Sequence, residues 1–141
     1  MILVGNKIWY ELENTHNYPY LDNIIWITNF NFLDNQDIIQ QSIDSFNSNI
    51  EWDEMWDMKE AKQRLDNGHD LYIGYDNEGP LSHVWFQNDF LYNMFTNPRR
   101  PEGYSKQFIE GVFNFIPYNI ITLYVDDWNI QAQKFWEKLS I

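Results

Sequence analysis

The sequence contains no cysteine, which excludes disulfide bonds and a thiol nucleophile. Only nine residues are basic against 21 acidic ones, so the formal net charge is −12. With so few basic side chains to neutralise phosphates, a nucleic-acid partner is not expected. No apolar run approaches the roughly 20 residues that cross a bilayer, and no signal-peptide pattern opens the sequence. We therefore expect a cytoplasmic protein with no membrane partner.

Large apolar side chains are abundant by contrast. The sequence is 44% hydrophobic and 18% aromatic, which is too apolar for a disordered chain. Its 141 residues suit a single domain, 1–141, with one substantial core. The negative charge would attract a cationic partner such as an amine or a basic protein surface, although it would serve equally well to keep the protein in solution.

The periodicity of the apolar residues changes several times along the chain. Alternating or β-branched segments predict strands, and recurrence at three- and four-residue spacing predicts helices. Asp34 and Asp53 are candidate N-caps for the first two helices, and Asn67-Gly68 is a stop signal for the second. The expected strands are 7–12, 24–32, 71–75, 81–87, 90–96 and 120–125, and the expected helices are 34–49, 53–66, 103–116 and 129–139.

The order of these elements predicts an α/β fold with a mixed (α+β) sheet. Three consecutive strands between residues 71 and 96 are joined by short turns and should form an antiparallel meander. The strand–helix–strand unit from Phe90 to Val125 is a crossover, which implies one parallel pair. The expected architecture is a mostly antiparallel central sheet with one parallel pair and helices on both faces.

The junction that follows the strand at 90–96 has the features of an anion site. Arg100 lies three residues before Gly103, which opens a helix. A helix N-terminus presents unpaired N–H groups, and glycine allows the backbone to approach an anion closely. The spacing alone is weak, because a glycine near a proline is often a simple turn.

A second segment makes the pattern more specific. Residues 129–139 follow the strand at 120–125 and contain polar, small and aromatic positions in fixed order. Together the two segments resemble the GNAT N-acetyltransferase superfamily, which has an Arg/Gln-x-x-Gly-x-Gly/Ala loop and a later Asn-x-x-Ala-x-x-Phe-Tyr-x-Lys helix. The resemblance covers roughly residues 24–141. Its matching positions are Arg100, Gly103 and Ser105 in the loop and Asn129, Ala132, Phe135 and Lys138 in the helix.

The resemblance implies acetyl-CoA as co-substrate, a primary amine as acceptor, and direct attack of the amine on the acetyl group. It places the pyrophosphate on the N–H groups of Gly103, Tyr104 and Ser105, with Arg100 beside them. Phe95 and Thr96 would offer backbone groups to the pantetheine arm, and Asn129 and Phe135 would lie along its other side. No histidine shows metal-ligand spacing, so no metal site is expected.

Several positions depart from the family pattern. Trp136 stands where the family usually has a tyrosine acid, and an indole is not a useful proton donor. Tyr124, or Tyr92, would then protonate the leaving thiolate. His83 is the candidate general base, although a lone histidine on a strand is more often structural. Pro101 and Glu102 also weaken the expected anion loop, because one removes an N–H donor and the other adds negative charge.

The family normally adds two strands after the last helix, whereas this sequence ends at Ile141. An apolar sheet edge would otherwise be exposed. We therefore expect the N-terminal strand and loop, 1–23, to complete the sheet, with Ile2–Leu12 beside Ile120–Val125, or a second subunit to do so in a homodimer.

Three functions remain open at this point. The first is an N-acetyltransferase acting on a small molecule or a protein. The second is a catalytically degenerate GNAT-like domain that serves as a binding or regulatory module. The third is an acidic decoy for basic proteins. Acceptor specificity would reside in the loops 47–57 and 126–129.

Overall fold

The computed structural model describes residues 6–49 and 56–139, which form a sheet with helices on both of its faces. The strands are β1 (Lys7–Glu13), β2 (Ile24–Ile27), β3 (Asp70–Asp76), β4 (Gly79–Gln87), β5 (Phe90–Thr96) and β6 (Ile120–Asp126). The helices are α1 (Gln36–Asn49), α2 (Met58–Asp66), α3 (Tyr104–Phe113) and α4 (Ile130–Leu139), with a 3₁₀ turn at Leu33–Asn35. Within the described ranges, no helix has the combination of length and apolarity needed to cross a membrane.

The sheet has the order β1-β6-β5-β4-β3-β2. Strands β2 to β5 pair antiparallel with their neighbours, and β5 and β6 form the parallel pair. The connection between β5 and β6 runs through α3, as a parallel crossover requires. The predicted mixed sheet with one parallel pair is therefore confirmed.

Two apolar cores flank the sheet. One contains Phe108, Val112 and Trp136 and lies between the sheet and the α3/α4 layer. The other contains Ile39, Ile43 and Leu65 and lies beneath α1 and α2. Because β4 contacts both layers, seven of its nine residues are buried, and its sequence shows no alternation between apolar and polar positions.

Strand β1 forms the outer edge beside β6. The two strands pair antiparallel over all seven residues of β1, from Lys7 opposite Asp126 to Glu13 opposite Ile120. Leu12 is buried in the α3/α4 core, whereas Trp9 on the other face is 66% exposed. This is the position expected for the N-terminal segment, of which residues 2–5 lie outside the described ranges.

Some predicted boundaries differ from the observed ones. Strand β2 ends at Ile27, five residues before the predicted end, because the Asn31 side chain accepts a hydrogen bond from Thr28 N and donates one to Trp26 O. Asp57 caps α2 by accepting from Glu60 N at 2.9 Å. The predicted cap, Asp53, lies outside the described residues.

Candidate functional site

The parallel strands β5 and β6 diverge after one point of contact. They are in register at Phe90 and Thr122, where Thr122 N donates to Asp89 O at 3.0 Å. No further pairing joins the two strands along their described lengths. The gap is a cleft of about 480 Å³ between the diverging strands. Its walls include Lys7, His69, Tyr92, Asn93, Met94, Tyr124, Asp126, Trp128, Asn129, Ala132 and Trp136.

A β-bulge in β5 shapes one wall of the cleft. Pairing with β4 changes from His83–Phe95 to Trp85–Tyr92, so β5 contains one extra residue. Asn93 takes up the distortion with a positive φ of 49°. A bulge of this kind disrupts the ladder and redirects the side chains around it. Asn93 and Met94 both line the cleft, as part of the continuous stretch 90–94 of β5 that runs along it.

The loop after β5 ends at the N-terminus of α3. Gly103 has a φ of 79°, and a Cβ atom there would have nothing within 4 Å, so the space beside it is open. Tyr104 N donates to Pro101 O at 3.1 Å, and Gln107 N donates to Gly103 O at 3.4 Å. Within the described residues, the amides of Ser105 and Lys106 have no acceptor. The first turn of α3 therefore offers free donors to an anion.

The two consecutive arginines of this loop have different roles. Arg99 forms a bidentate ion pair with Asp76, with N–O distances of 2.8 and 2.9 Å, and it also donates to Gly79 O and Pro80 O. It thereby fastens the loop to the β3–β4 hairpin. Arg100 is exposed, and its guanidinium donates only to Asn97 O, at 3.4 Å, within the described part of the chain. Arg100 is thus the arginine available to a ligand.

Thr96 and Phe95 at the end of β5 have intramolecular hydrogen-bond partners. Ser82 Oγ donates to Phe95 O at 2.6 Å. Thr96 Oγ1 lies 3.3 Å from the hydroxyl groups of both Ser82 and Ser105. These bonds connect β4, β5 and the first turn of α3. They place the predicted loop and the end of β5 side by side, outside the cleft lining itself.

Asn129 and Trp136 bring α4 to the cleft. Asn129 Oδ1 accepts from Ala132 N at 3.2 Å, which caps the helix. Trp136 is buried and lines the cleft, whereas the adjacent Phe135 packs against the α3/α4 core. Of the two aromatic residues in the motif, the structure therefore directs Trp136, and not the predicted Phe135, toward the cleft.

His83, the predicted general base, lies in the core beneath α1 rather than in the cleft. It is 1% exposed, and its Nδ1 is 2.7 Å from Ser42 Oγ. Three aromatic rings surround it: those of Phe46, Trp56 and Phe95. Burial, assisted by the charge of Arg64, lowers the pKa of His83 to about 3. The imidazole is therefore neutral near pH 7 and enclosed by side chains.

Tyr124, the predicted acid, does line the cleft and is 41% exposed. Its ring packs edge-on against Trp9 with a centroid distance of 5.3 Å, and Lys7 Nζ lies 4.6 Å from its ring centre. Lys7 also forms an ion pair with Asp126 at the mouth of the cleft. The described residues contain no group of three potential metal ligands.

One contact in the cleft was not predicted from the sequence: His69 Nδ1 and the Tyr92 hydroxyl share a hydrogen bond, and both residues line the cleft. Burial raises the pKa of Tyr92 to about 12. Burial first, and the charge of Arg64 second, lower the pKa of His69. The two residues are 23 positions apart and meet only because β3, β4 and β5 form a meander, so spacing alone could not reveal the pair.

No known protein-family description matches the sequence, and no curated protein matches it. Solved structures with a similar fold do exist. A functionally unknown conserved protein from Staphylococcus epidermidis has a TM-score of 0.64 at 13% identity; the match covers 94% of this chain but only 55% of that one. The chain thus spans about half the length of that protein.

Two further structures belong to named acetyltransferases. A ribosomal-protein-alanine N-acetyltransferase from Brucella melitensis has a TM-score of 0.60 at 11% identity, covering 84% of this chain and 91% of that one. An aminoglycoside acetyltransferase from an uncultured soil metagenomic sample has a TM-score of 0.58 at 10% identity, covering 84% and 87%. These likenesses show that the chain has the GNAT-like fold of the acetyltransferases.

Proposed function

We propose that this protein transfers an acetyl group from acetyl-CoA to a primary amine. The observation that carries the proposal is the divergence of β5 and β6 after Phe90 and Thr122, which opens a cleft between two parallel strands. In a fold shared with acetyltransferases, such a cleft can receive an extended thioester arm.

The residues beyond the cleft fit the charged end of acetyl-CoA. The free amides of Ser105 and Lys106 and the open space beside Gly103 suit a pyrophosphate, and Arg100 supplies a positive charge. Pro101 contributes no N–H, but the unpaired donors lie after it. Acetyl-CoA would supply an activated acyl carbon, while the protein positions it and the acceptor.

The acceptor is expected to be cationic in solution. The net charge of −12 favours the approach of an amine, whether it belongs to a small molecule or to a protein. Aromatic rings of Trp9, Phe90 and Tyr124 adjoin the cleft, and such rings attract ammonium groups.

Calorimetric titration with acetyl-CoA tests the first half of the proposal. We expect saturable binding that weakens in the Arg100→Ala variant. Release of CoA thiol tests the second half, with two probe acceptors: the aminoglycoside sisomicin, which is bound in another structure of the soil acetyltransferase, and a peptide with an N-terminal alanine. No heat of binding at millimolar acetyl-CoA would overturn the proposed function.

A catalytically degenerate binding module is the alternative, and one observation favours it. Trp136 lines the cleft at the position where the resemblance implies a tyrosine acid. Saturable acetyl-CoA binding without thiol release above the buffer rate would support this alternative over the transferase.

A further inference from the structure

His69 and Tyr92 form a paired wall of the cleft. His69 lies between the end of α2 and the start of β3, and Tyr92 lies on β5 next to the bulge residue Asn93. The Tyr92 hydroxyl and His69 Nδ1 share a hydrogen bond, and the two rings meet edge-on with centroids 5.5 Å apart. Both side chains line the cleft, so a bound acceptor can reach them.

The direction of this hydrogen bond follows from the protonation states. Burial raises the pKa of Tyr92 to about 12, so its hydroxyl keeps its proton near neutral pH. The pKa of His69 is lowered, which leaves its imidazole neutral in the same range. Between these two neutral groups the phenol is the stronger donor and the imidazole nitrogen the stronger acceptor, which favours donation from the Tyr92 hydroxyl to Nδ1 with the ring proton on Nε2. A phenol oxygen has two lone pairs, so beside its hydrogen bond with Arg64 the Tyr92 oxygen retains one that can accept a proton.

Charged groups around the pair favour this arrangement. The Arg64 guanidinium lies 5.4 Å from the Tyr92 ring centre and pairs with Glu60 at 2.9 Å. Its charge disfavours protonation of His69 and stabilises negative charge on the Tyr92 oxygen. Asp70, whose carboxylate accepts from Trp26 Nε1, acts on His69 in the opposite sense. Lys7 and Asp126 face the pair across the cleft as an ion pair.

The pair also lies on a defined side of the sheet. Tyr92 packs against the core beneath α1 and α2, while its neighbour Leu91 belongs to the core beneath α3 and α4. The anion loop begins α3, and the cleft passes between the strands. Tyr92 therefore approaches the cleft from the α1/α2 side of the sheet, whereas the anion loop begins the helix on the other side.

We propose that Tyr92 and His69 are the proton-accepting pair for the attacking amine, an inference that rests on the acetyl transfer proposed above. The amine nitrogen forms a bond to the thioester carbon, and the carbon–sulfur bond breaks to release CoA thiolate. The acceptor first gives its ammonium proton to solvent and attacks as the neutral amine; after attack the nitrogen loses its second proton to the Tyr92 oxygen as the phenol proton passes to His69 Nδ1. The resulting imidazolium returns a proton to solvent, and the thiolate is protonated by solvent.

The kinetic test compares Tyr92→Phe and His69→Gln with the wild type, with Tyr20→Phe as a surface control. Acetyl-CoA affinity is measured by calorimetry. Thiol release is measured in the presence of sisomicin and, separately, without an acceptor, where water is the only nucleophile. Loss of a general base should lower kcat/KM by about 10²–10⁴-fold. Acetyl-CoA affinity should remain unchanged in both variants, and the control should match the wild type.

The pH profile separates proton transfer from a structural role. Wild-type kcat/KM, divided by the fraction of neutral acceptor amine at each pH, should stay level above the pKa of His69, which lies below the ordinary histidine value. It should decline only at lower pH, where His69 becomes protonated and can no longer accept. That acid limb should disappear in His69→Gln. A His69→Gln pH profile with the same shape and height as that of the wild type would overturn the proposed proton-accepting role of the pair.

A spectroscopic measurement tests the hydrogen bond independently of turnover. Long-range proton–nitrogen NMR of the histidine rings should find His69 with its proton on Nε2, and Tyr92→Phe should abolish that preference. A proton on Nδ1 in the wild type would overturn the proposal. If the wild type binds acetyl-CoA but shows no turnover, the proton-accepting role of the pair is overturned, whereas the proposed acetyl-CoA site stands. Absence of binding would overturn the proposed function and the pair with it.

Discussion

Gly74 on β3 and Tyr104 in the first turn of α3 occupy adjoining space. A Cβ atom added to Gly74 would lie 2.0 Å from the Tyr104 hydroxyl oxygen and 2.7 Å from Phe108. The start of α3 can therefore approach the sheet only because residue 74 has no side chain. The same close approach fixes the position of the free amides at Ser105 and Lys106.

Gly74→Ala should destabilise the protein. Overfilling a packed core typically costs about 1–3 kcal/mol, because side chains and backbone must shift. Urea unfolding measures the loss. In the double variant with Tyr104→Phe, the hydroxyl group nearest to the new Cβ atom is absent, so part of the lost stability should be recovered. Equal stability of Gly74→Ala and wild type would contradict the packing described here.

Arg100→Ala should weaken acetyl-CoA binding, whereas Arg99→Ala should lower stability. Arg100 is free to bind a phosphate group, and a hydrogen bond to a charged group contributes about 1.5–3 kcal/mol, so its loss should weaken acetyl-CoA binding by roughly 10- to 100-fold. Arg99 is engaged with Asp76, and its loss should lower the melting temperature slightly, because exposed ion pairs contribute little to stability. Calorimetry and thermal unfolding of both variants measure the two effects. An unchanged affinity in Arg100→Ala would remove this arginine from the binding site.

The buried His83 should make stability depend on pH. Its folded pKa of about 3 lies below the ordinary value of 6.5, so between these values the unfolded chain binds the extra proton. Stability should therefore fall as pH decreases from about 6.5 toward about 3, by at most about 1.4 kcal/mol per pH unit from this group.

The control for this effect replaces both partners of the buried hydrogen bond. The double variant Ser42→Ala/His83→Phe leaves no unpaired polar atom from that bond and should show a shallower pH dependence in denaturant titrations. Identical slopes for the two proteins would show that His83 does not titrate between the folded and unfolded states.

Asn14 connects β1 to the end of α3 and should be intolerant of a charge. It is 3% exposed, and its amide nitrogen donates to Phe113 O, Ile116 O and Tyr118 O. Asn14→Asp would replace this donor with a carboxylate facing three carbonyls, which should cost about 3–5 kcal/mol. Chemical denaturation measures the loss, and Asn119→Asp, at an exposed position, is the matched control. A loss below 1 kcal/mol, by the usual scale of surface changes, would contradict the buried role of Asn14.

The limits of sequence reasoning appear at individual residues. The meander and the crossover helix were predictable because their apolar periods and turn residues agree. The face of the sheet on which His83 lies could not be predicted, because both faces of β4 are buried and the sequence of the strand does not alternate between apolar and polar residues. The choice between Phe135 and Trp136 depends on how α4 is rotated, which adjacent aromatic residues do not determine. The His69–Tyr92 contact depends on register across three strands.

The pairing of β1 with β6 constrains how the chain is made. Lys7 and Asp126 are separated by 119 positions, so β1 leaves the ribosome long before its partner strand exists. At ~5–20 residues per second, that interval lasts roughly 6–24 seconds. Leu12 has no core to enter during this time, and contacts of such high sequence separation slow folding. Strand β1 is synthesised before the other described strands of this sheet and is therefore expected to be among the last to dock.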